Sequence, residues 1–316
     1  MLGVFLDAGT LGEGCTYDEL LSLPLEWRFY EKSTPHETLE RLRGVSIAVT
    51  NKVVFDRDLI RALPDLKLIC VTATGVNCID LEAAHAAKVV VSNVKGYSTA
   101  TVSQMTALMI LSLSTSFVSY VEDVKKGRWQ RESQFCFLDY PIREVKGKKL
   151  GILGYGNLGQ EVGRIMSAFG MEILVVERLG SHVPIPGTLP LPEVLKECDF
   201  FTIHAPLTAE TRHLIGMEQL RLMKKTAFLL NLARGGIVDE DALANALKNK
   251  MIAGAAFDVL SKEPPPSNHP LLDPSIPNLI LTPHIAWASV EARKTILEVT
   301  RDNIRAFLNG SPQNLV

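Results

Sequence analysis

The run from Leu150 to Gly159, LGILGYGNLG, limits the possible fold more than any other segment of this 316-residue chain. It begins as a short apolar strand and changes at Gly154 into the spacing G-x-G-x-x-G, which a helix pattern follows. Gly154 allows a tight turn, Gly156 lets a pyrophosphate approach the backbone, and Gly159 lets the helix pack on the strand. The free N–H groups at the start of such a helix bind phosphates. The segment therefore predicts a dinucleotide-binding βαβ unit. The apolar residues of the predicted helix are Val162, Ile165, Met166 and Phe169.

A second predicted strand, residues 172–176, follows that helix and is followed by Glu177. An acidic side chain at this position accepts hydrogen bonds from the adenosine ribose. It would also face the 2′-phosphate of NADP, and two unit charges about 4 Å apart repel by about 4 kcal/mol at an effective dielectric constant of about 20. The sequence therefore predicts NAD as the cofactor, although Arg178 could soften the repulsion.

Composition excludes several classes of protein. The length suits about two domains of about 150 residues, and 47% hydrophobic with 22% charged residues is ordinary for a globular chain. A net charge of −2 without long Lys or Arg runs argues against nucleic-acid binding. Five scattered cysteines with no C-x-x-C pair argue against a disulfide framework and a zinc site. With no basic stretch ahead of its first apolar residues, the N-terminus does not resemble a signal peptide. We therefore expect a cytoplasmic protein without a metal site.

One uncharged stretch, residues 96–121, is long enough to span a bilayer. It contains ten Ser or Thr residues and Gln104, which makes it too polar for a lipid-facing helix. We expect a buried helix there and no membrane contact.

Short apolar runs alternate with helix-period segments along the chain, which is typical of parallel strands joined by crossover helices. Asp56 and Asp80 stand where two of the helices would begin. The last helix pattern, residues 289–308, follows all the strands and could complete the first domain. The pattern predicts an α/β protein with two doubly wound parallel-sheet domains. The predicted strands are 3–6, 27–30, 45–49, 66–71, 89–91, 149–153, 172–176, 200–204, 227–230, 252–257 and 279–281.

Three ionisable residues, Arg234, Glu263 and His284, each follow a predicted strand of the second domain. Ligands of open α/β sheets bind beyond the carboxyl ends of the strands, so these side chains could converge on a nicotinamide. An Arg fork binds a carboxylate bidentately, a His donates the proton that a ketone needs as it accepts hydride, and a Glu fixes the His tautomer. The set favours reduction of a 2-oxo acid to a 2-hydroxy acid. Taken singly, each residue also fits a solvated or structural role.

Five blocks, in order along the chain, resemble motifs of the D-isomer-specific 2-hydroxyacid dehydrogenases. They are GYGNLG at 154–159, HAPLT at 204–208, NLARGG at 231–236, DVLSKEP at 258–264 and TPH at 282–284. The resemblance spans nearly the whole chain. It implies that Arg234 clamps the substrate, that His284 is the acid/base with Glu263 as its partner, and that Asp258 contacts the nicotinamide. We read His204 as structural, near the cofactor.

The resemblance also implies a domain plan and two sets of binding residues. A Rossmann cofactor domain, 99–286, would be inserted into a flavodoxin-like substrate domain, 1–98 with 287–316, and two copies would form a homodimer through the cofactor domain and residues 135–140. The implied cofactor site is Gly154, Tyr155, Gly156, Asn157, Leu158, Gly159, Glu177, Ala205, Pro206, Leu232, Ala233 and Asp258. The implied substrate site is Lys52, Thr74, Gly75 and Val76 with Arg234 and His284.

Within that family the chain is most similar to the glycerate dehydrogenases, also called hydroxypyruvate reductases. Met105 departs from the pattern where relatives often carry His, as does Ala286 where many carry Gly, and both could alter the pocket. Two alternatives stay open: the same chemistry on another substrate, such as 3-phosphoglycerate or formate, and a non-catalytic scaffold that senses NADH. The segments that carry the closer similarity are 51–54, 73–77, 96–99, 135–139 and 282–287.

Overall fold

The structure is a computed structural model that describes residues 1–180 and 185–316. It divides into two compact units, residues 1–98 with 288–316, and residues 99–287. The boundary near the last helix lies one residue later than the sequence suggests. Trp287 groups with the second unit, where its indole N–H donates to the backbone oxygen of His284 at 2.9 Å.

The first unit has a five-stranded sheet. Its strands are β1 (Leu2–Phe5), β2 (Glu26–Phe29), β3 (Ile47–Thr50), β4 (Leu68–Val71) and β5 (Val90–Ser92), and its helices are α1 (Asp18–Leu21), α2 (Pro35–Arg41), α3 (Arg57–Arg61), α4 (Leu81–Ala86) and, from the far end of the chain, α11 (Val290–Leu308). The strands lie parallel in the order β2-β1-β3-β4-β5, the flavodoxin-like order. All four residues of β3 and of β4 are buried, as expected for central strands covered on both faces.

Side-chain caps set the start of two helices in this unit. The Asp56 carboxylate accepts from the Leu59 N–H at 2.8 Å, and the Asp80 carboxylate accepts from the Ala83 N–H at 2.9 Å. Each cap satisfies a backbone donor that the first helical turn leaves unpaired. The two helix starts predicted at these aspartates are confirmed.

The end of the chain completes the first unit. Helix α11 begins at the Ser289 cap, whose hydroxyl accepts from the Ala292 N–H at 3.1 Å. Beyond it, the Asn93 N–H donates to the Asn314 oxygen at 3.1 Å and the Val316 N–H donates to the Val91 oxygen at 3.2 Å. The last three residues therefore lie along the outer edge of β5.

The second unit has a seven-stranded sheet. Its strands are β6 (Lys149–Leu153), β7 (Glu172–Val176), β8 (Thr188–Leu189), β9 (Phe200–Ile203), β10 (Phe228–Asn231), β11 (Gly254–Phe257) and β12 (Leu279–Leu281), and its helices are α5 (Thr99–Thr115), α6 (Phe117–Lys125), α7 (Asn157–Ala168), α8 (Leu191–Glu197), α9 (Met217–Leu222) and α10 (Glu240–Lys248). The strands lie parallel in the order β12-β11-β10-β9-β6-β7-β8. This is the Rossmann order with one further strand, so the predicted fold class is confirmed. The two-residue edge strand β8 was not predicted.

The uncharged segment forms a helix packed inside the second unit. Val102, Met109, Ile110 and Leu113 of α5 lie in a core cluster with residues of α7 and the sheet. The helix ends before Ser116, whose φ of 52° breaks it, and α6 continues at an angle of 69°. In the described residues, no single helix is long and apolar enough to cross a membrane, although α5 and α6 together would pass by length and composition.

The face predicted for α7 is correct except at its end. Val162 and Met166 are buried and Ile165 is partly buried, but Phe169 is 46% exposed. The helix stops at Ala168, so Phe169 has already left the helical periodicity.

One row of residues crosses the second sheet at the carboxyl ends of its strands. Register pairs Leu153 with Ile203, Ile203 with Asn231, Asn231 with Phe257, and Phe257 with Leu281. The loops that follow these five strands therefore start side by side, at what we call the carboxyl edge.

Candidate active site

The glycine turn between β6 and α7 has the shape that its sequence predicts. Gly154 has φ of +92°, and a Cβ there would lie 2.6 Å from the His204 carbonyl carbon. A Cβ on Gly159 would lie 2.2 Å from the Gly154 oxygen. A Cβ on Gly156 would meet no described atom within 4 Å, so the backbone there faces open space. The turn thus offers a bare backbone and a helix N-terminus to a phosphate.

The other predicted cofactor residues lie around this turn or at the same edge. Tyr155, Gly156 and Asn157 are exposed and Leu158 is half-buried. Glu177 directly follows β7, is half-buried, and its N–H donates to the Leu189 oxygen at 2.9 Å. The remainder follow β9, β10 and β11: Ala205, Leu232, Ala233 and Asp258 are buried and Pro206 is exposed.

His204 follows β9 beside the glycine turn. Its Nε2 lies 3.1 Å from the Thr202 hydroxyl, and its buried Nδ1 has no hydrogen-bond partner among the described residues. Burial lowers the pKa of His204 to about 3, so the ring is neutral at physiological pH. A neutral ring at this place fits the predicted structural role.

Arg234 lies in a loop held by Asn231. The Asn231 side chain donates to the Arg234 oxygen at 2.8 Å and accepts from the Ala233 N–H at 3.1 Å. Arg234 is half-buried. One of the five N–H groups of its guanidinium donates to the Ala233 oxygen at 2.7 Å. The Asn231 contacts were not foreseen from the sequence, although an Asn at the end of a buried strand is a usable signal.

Glu263 and His284 are in direct contact. Oε2 of Glu263 lies 2.6 Å from Nδ1 of His284, while Oε1 accepts from the Leu260 N–H at 2.9 Å. Because the carboxylate accepts a hydrogen bond from the Nδ1–H, Nε2 is the ring nitrogen placed to exchange a proton with a ligand. The predicted pair is therefore brought together by the loops after β11 and β12.

The Arg234 loop packs against the Glu263 loop. A Cβ on Gly235 would lie 2.0 Å from the Leu260 carbonyl carbon and 2.3 Å from the Ser261 nitrogen. Only glycine tolerates so close an approach. Glycine at 235 thus lets the loops after β10 and β11 touch, and Glu263 links the second of them to His284.

The Asp258 carboxylate is hydrogen-bonded to the loop that carries His284. It accepts from the Thr282 hydroxyl at 2.6 Å, the Ile285 N–H at 2.9 Å and the Ala286 N–H at 2.8 Å. The side chain is 1% exposed, and burial raises the pKa of Asp258 against the opposing effect of these hydrogen bonds. His284 itself has φ of +55°, a conformation that a non-glycine residue adopts only when its surroundings impose it.

The predicted substrate residues of the first unit lie at the carboxyl edge of its own sheet. Lys52 follows β3 and is exposed, and its N–H donates to the buried carboxylate of Asp7 at 2.7 Å. The Thr74 hydroxyl donates to the Val94 oxygen at 2.9 Å, and the Asn93 side chain donates to the Thr74 oxygen at 2.7 Å. Gly75 and Val76, in the same loop, are half-buried.

Asp7 was not singled out in the sequence. It is 4% exposed and also accepts from the Asn51 N–H at 2.9 Å. Its position directly after an apolar strand is the signal that could have found it. No group of three or more His, Cys, Asp or Glu residues able to hold a metal occurs in 1–180 or 185–316.

Comparison with known proteins places this arrangement in a family. Residues 107–286 match the D-isomer-specific 2-hydroxyacid dehydrogenase, NAD-binding domain, family. The chain is 43% identical over 314 residues to a glycerate dehydrogenase of Methylorubrum extorquens, covering 99% of this chain and 98% of the relative. It is 33% identical over 309 residues to a hydroxypyruvate reductase of Blautia hydrogenotrophica, covering 97% and 92%.

The solved structures agree with the sequence relatives. A D-lactate dehydrogenase from Aquifex aeolicus, crystallised with NAD and lactic acid, superposes with a TM-score of 0.82 at 27% identity, covering 98% of this chain and 96% of that one. The sequence and fold matches extend over both units and over the site residues described above. The chain therefore belongs to the D-isomer-specific 2-hydroxyacid dehydrogenases and is an NAD-dependent oxidoreductase that interconverts 2-oxo and 2-hydroxy acids.

Proposed function

We propose that this enzyme reduces hydroxypyruvate to D-glycerate with NADH, and catalyses the reverse reaction, with glyoxylate as a second oxo acid. The observation that carries the chemistry is the 2.6 Å contact between Glu263 and His284, on loops packed to the Arg234 loop. The substrate assignment rests on the relatives named glycerate dehydrogenase and hydroxypyruvate reductase.

Three side chains act together on the substrate, and each has a different role. The guanidinium of Arg234 binds the carboxylate and polarises the neighbouring carbonyl. Nε2 of His284 gives a proton to the carbonyl oxygen during reduction and takes one from the hydroxyl during oxidation. Glu263 holds Nδ1–H, which fixes the ring orientation and stabilises the imidazolium before it gives up its proton. The nicotinamide, when bound, supplies or accepts the hydride.

The residues of the glycine turn fit a dinucleotide. The open space above Gly156 and the N-terminus of α7 would receive the pyrophosphate, and Glu177 would bind the adenosine ribose. We further propose that Asp258 acts toward the nicotinamide chiefly through the loop it holds, since its carboxylate already accepts three hydrogen bonds.

NADH is expected to give a kcat/KM at least about tenfold above that with NADPH, because of charge repulsion at Glu177. A higher value with NADPH would contradict this.

In the first unit, we propose that the backbone N–H groups of Thr74, Gly75 and Val76 bind the substrate carboxylate, with Lys52 as an additional cation. This assignment follows the family resemblance. The hydrogen bonds of Asp7 and Asn93 support it, because they fix the loops after β3 and β4 in place.

We also propose a homodimer through the cofactor domain and residues 135–140. Arg128 pairs with Asp139 of this segment at 2.5 Å. The segment nevertheless exposes 87% of Phe135 and 76% of Leu138, apolar surface that a second copy would cover. Sedimentation equilibrium should give twice the chain mass, and Leu138→Asp should shift it toward the monomer.

A reducing, cytoplasmic location is proposed from the five thiols, all unpaired in the structure. Fractionation of cells that produce the protein, followed by immunoblotting, tests this. Recovery from an oxidising compartment would contradict it.

The decisive experiment is NADH oxidation with hydroxypyruvate, glyoxylate, pyruvate and 3-phosphohydroxypyruvate in parallel, with His284→Gln as the control enzyme. A clear preference for hydroxypyruvate supports the proposal. Preference for another oxo acid retains the mechanism and overturns the substrate, including in favour of a phosphoglycerate enzyme. NADH binding without turnover on any of the four would overturn the assignment and favour the NADH-sensing alternative.

A further inference from the structure

A buried polar cluster lies behind the Glu263 loop, outside the residues that the mechanism uses. Its centre is Glu240, the first residue of α10, which is 9% exposed. Oε1 of Glu240 accepts from the Ser261 N–H at 2.7 Å and Oε2 accepts from the Ser261 hydroxyl at 2.6 Å. Oε2 also lies 2.9 Å from Nε2 of His269, which is 7% exposed.

The tautomer of His269 follows from its second contact. The Leu271 N–H donates to Nδ1 of His269 at 3.3 Å, so Nδ1 carries no proton and Nε2 carries one. His269 therefore donates to Glu240 as a neutral ring. The carboxylate of Glu240 receives three hydrogen bonds, which is what a buried charge requires.

Two carboxylates thus hold successive amides of one turn. The Leu260 N–H donates to Glu263, which contacts His284. The Ser261 N–H donates to Glu240, which belongs to α10. The same turn packs against Gly235, whose Cβ would lie 2.0 Å from the Leu260 oxygen. Glu240 follows Gly235 by five residues, so one chain segment both carries Arg234 and braces the turn of Glu263.

We propose that Glu240, supported by His269, is a positioning residue for the proton transfer at His284. It fixes the 260–263 turn, and through it the Glu263 carboxylate against Nδ1 of His284. This inference rests on the proposed roles of Glu263 and His284. It adds a residue on a different element, α10, which is hydrogen-bonded to the turn of Glu263 through Ser261.

The test variant is Glu240→Gln, and the matched control is Asp241→Asn, which removes an exposed carboxylate from the same first turn of α10. In Glu240→Gln the side-chain amide places N–H donors against the Nε2–H donor of His269. That hydrogen bond is lost, so the 260–263 turn is held less firmly. We expect kcat to fall about 10- to 100-fold, the effect of a displacement of about 1 Å at a reacting group. NADH affinity should stay unchanged, and the control should match the wild type.

A double-mutant cycle separates positioning from general damage. In a Glu263→Gln background, Glu240→Gln should cost less than about a further twofold in kcat, because it acts through Glu263. Ser261→Ala, which keeps the amide contact and loses the hydroxyl contact, should give a smaller loss and serves if Glu240→Gln folds poorly. Effects that multiply in the cycle would overturn the inference.

A measurement without substrate keeps this test independent of the proposed function. The Nδ1 proton of His284, in its 2.6 Å contact with Glu263, should give a far-downfield proton NMR signal. Glu240→Gln should shift or broaden that signal, and Asp241→Asn should not. An unchanged signal overturns the positioning role even in an active enzyme, whereas a changed signal supports it even if hydroxypyruvate proves to be the wrong substrate.

Discussion

Asp7 in the first unit and Asp258 in the second hold neighbouring loops with the same set of three hydrogen bonds. Each follows one strand and binds the loop or strand end of the adjacent strand through a Thr hydroxyl and two successive backbone N–H groups. Each is almost fully buried, 4% for Asp7 and 1% for Asp258, and burial raises the pKa of both. The device is therefore common to both sheets.

The two regions differ in what the held loop presents. Asp258 holds a loop that contains His284 at φ of +55°, in contact with Glu263. Asp7 holds the Asn51–Lys52 turn, which presents backbone and one exposed lysine. In both sheets the carboxylate fixes the loop in place, and the residues that the loop carries decide whether that edge takes part in proton transfer or only in binding. Changes in the loop that Asp258 holds should then act on kcat, and changes in the loop that Asp7 holds should act on KM.

The largest effect is expected from His284→Gln. Loss of the proton donor should lower kcat about 10²- to 10⁴-fold, the usual range for a general acid. NADH affinity, measured by quenching of protein fluorescence, should remain within about twofold of the wild type, since the turn at Gly154 is untouched. Full activity in this variant would contradict the assignment of proton transfer to His284.

Arg234→Lys comes next. A point charge replaces a fork, and the lost charged hydrogen bond of about 1.5–3 kcal/mol corresponds to a tenfold to hundredfold loss of kcat/KM. Steady-state kinetics with the oxo acid and equilibrium binding of NADH separate the two roles that the residue could have. An equal loss in both would identify Arg234 as a structural or cofactor residue.

The two aspartates give the direct test of the comparison. Asp258→Asn and Asp7→Asn each turn an amide N–H toward backbone donors, and each should lower the free energy of unfolding by about 1–3 kcal/mol. Asp258→Asn should also lower kcat by about tenfold, whereas Asp7→Asn should raise the KM of the oxo acid with little change in kcat. Urea unfolding and steady-state kinetics on the same preparations measure both. A kcat loss from Asp7→Asn as large as that from Asp258→Asn would remove the distinction.

The smallest effect is on the pH dependence of stability. An aspartate whose folded pKa lies above its ordinary 3.8 holds its proton more tightly in the folded state, so its contribution is complete below that pH and declines as pH rises through the folded pKa. The destabilisation caused by Asp7→Asn should therefore be greater near pH 4 than at pH 7. Urea midpoints at the two pH values, with exposed Asp241→Asn as the control, measure the difference. A destabilisation that grows with pH would contradict the raised pKa.

Much of this arrangement could be predicted from the sequence because it depends on local pattern. The turn at Gly154 requires φ of +92° and a bare backbone, and only glycine supplies both. The loops of Arg234, Glu263 and His284 follow apolar strands, and in a parallel sheet such strands end at one edge. The strand pattern and the order of the motifs therefore fixed the class of fold.

The supports of the site were not predictable in the same way. Asp7, Asn231 and Glu240 are polar residues at the end of a strand or the start of a helix, where the same residue types often serve as caps or face solvent. Their partners lie up to 45 positions away in the sequence, as for the Lys52 N–H and Asp7. The prediction that Phe169 is buried was wrong for a local reason. Phe169 lies one residue beyond the end of α7, where the helical periodicity no longer applies.

The pairing of residues 314–316 with β5 has a practical consequence for handling the protein. These residues cover an edge of the five-stranded sheet, and the Asn314 side chain also donates to the Asn303 oxygen at 2.7 Å. A chain shortened before Asn314 would leave the backbone groups of β5 open to pairing with another molecule, and such edges promote aggregation. Loss of the pairing of residues 314–316 should therefore appear first as turbidity on storage.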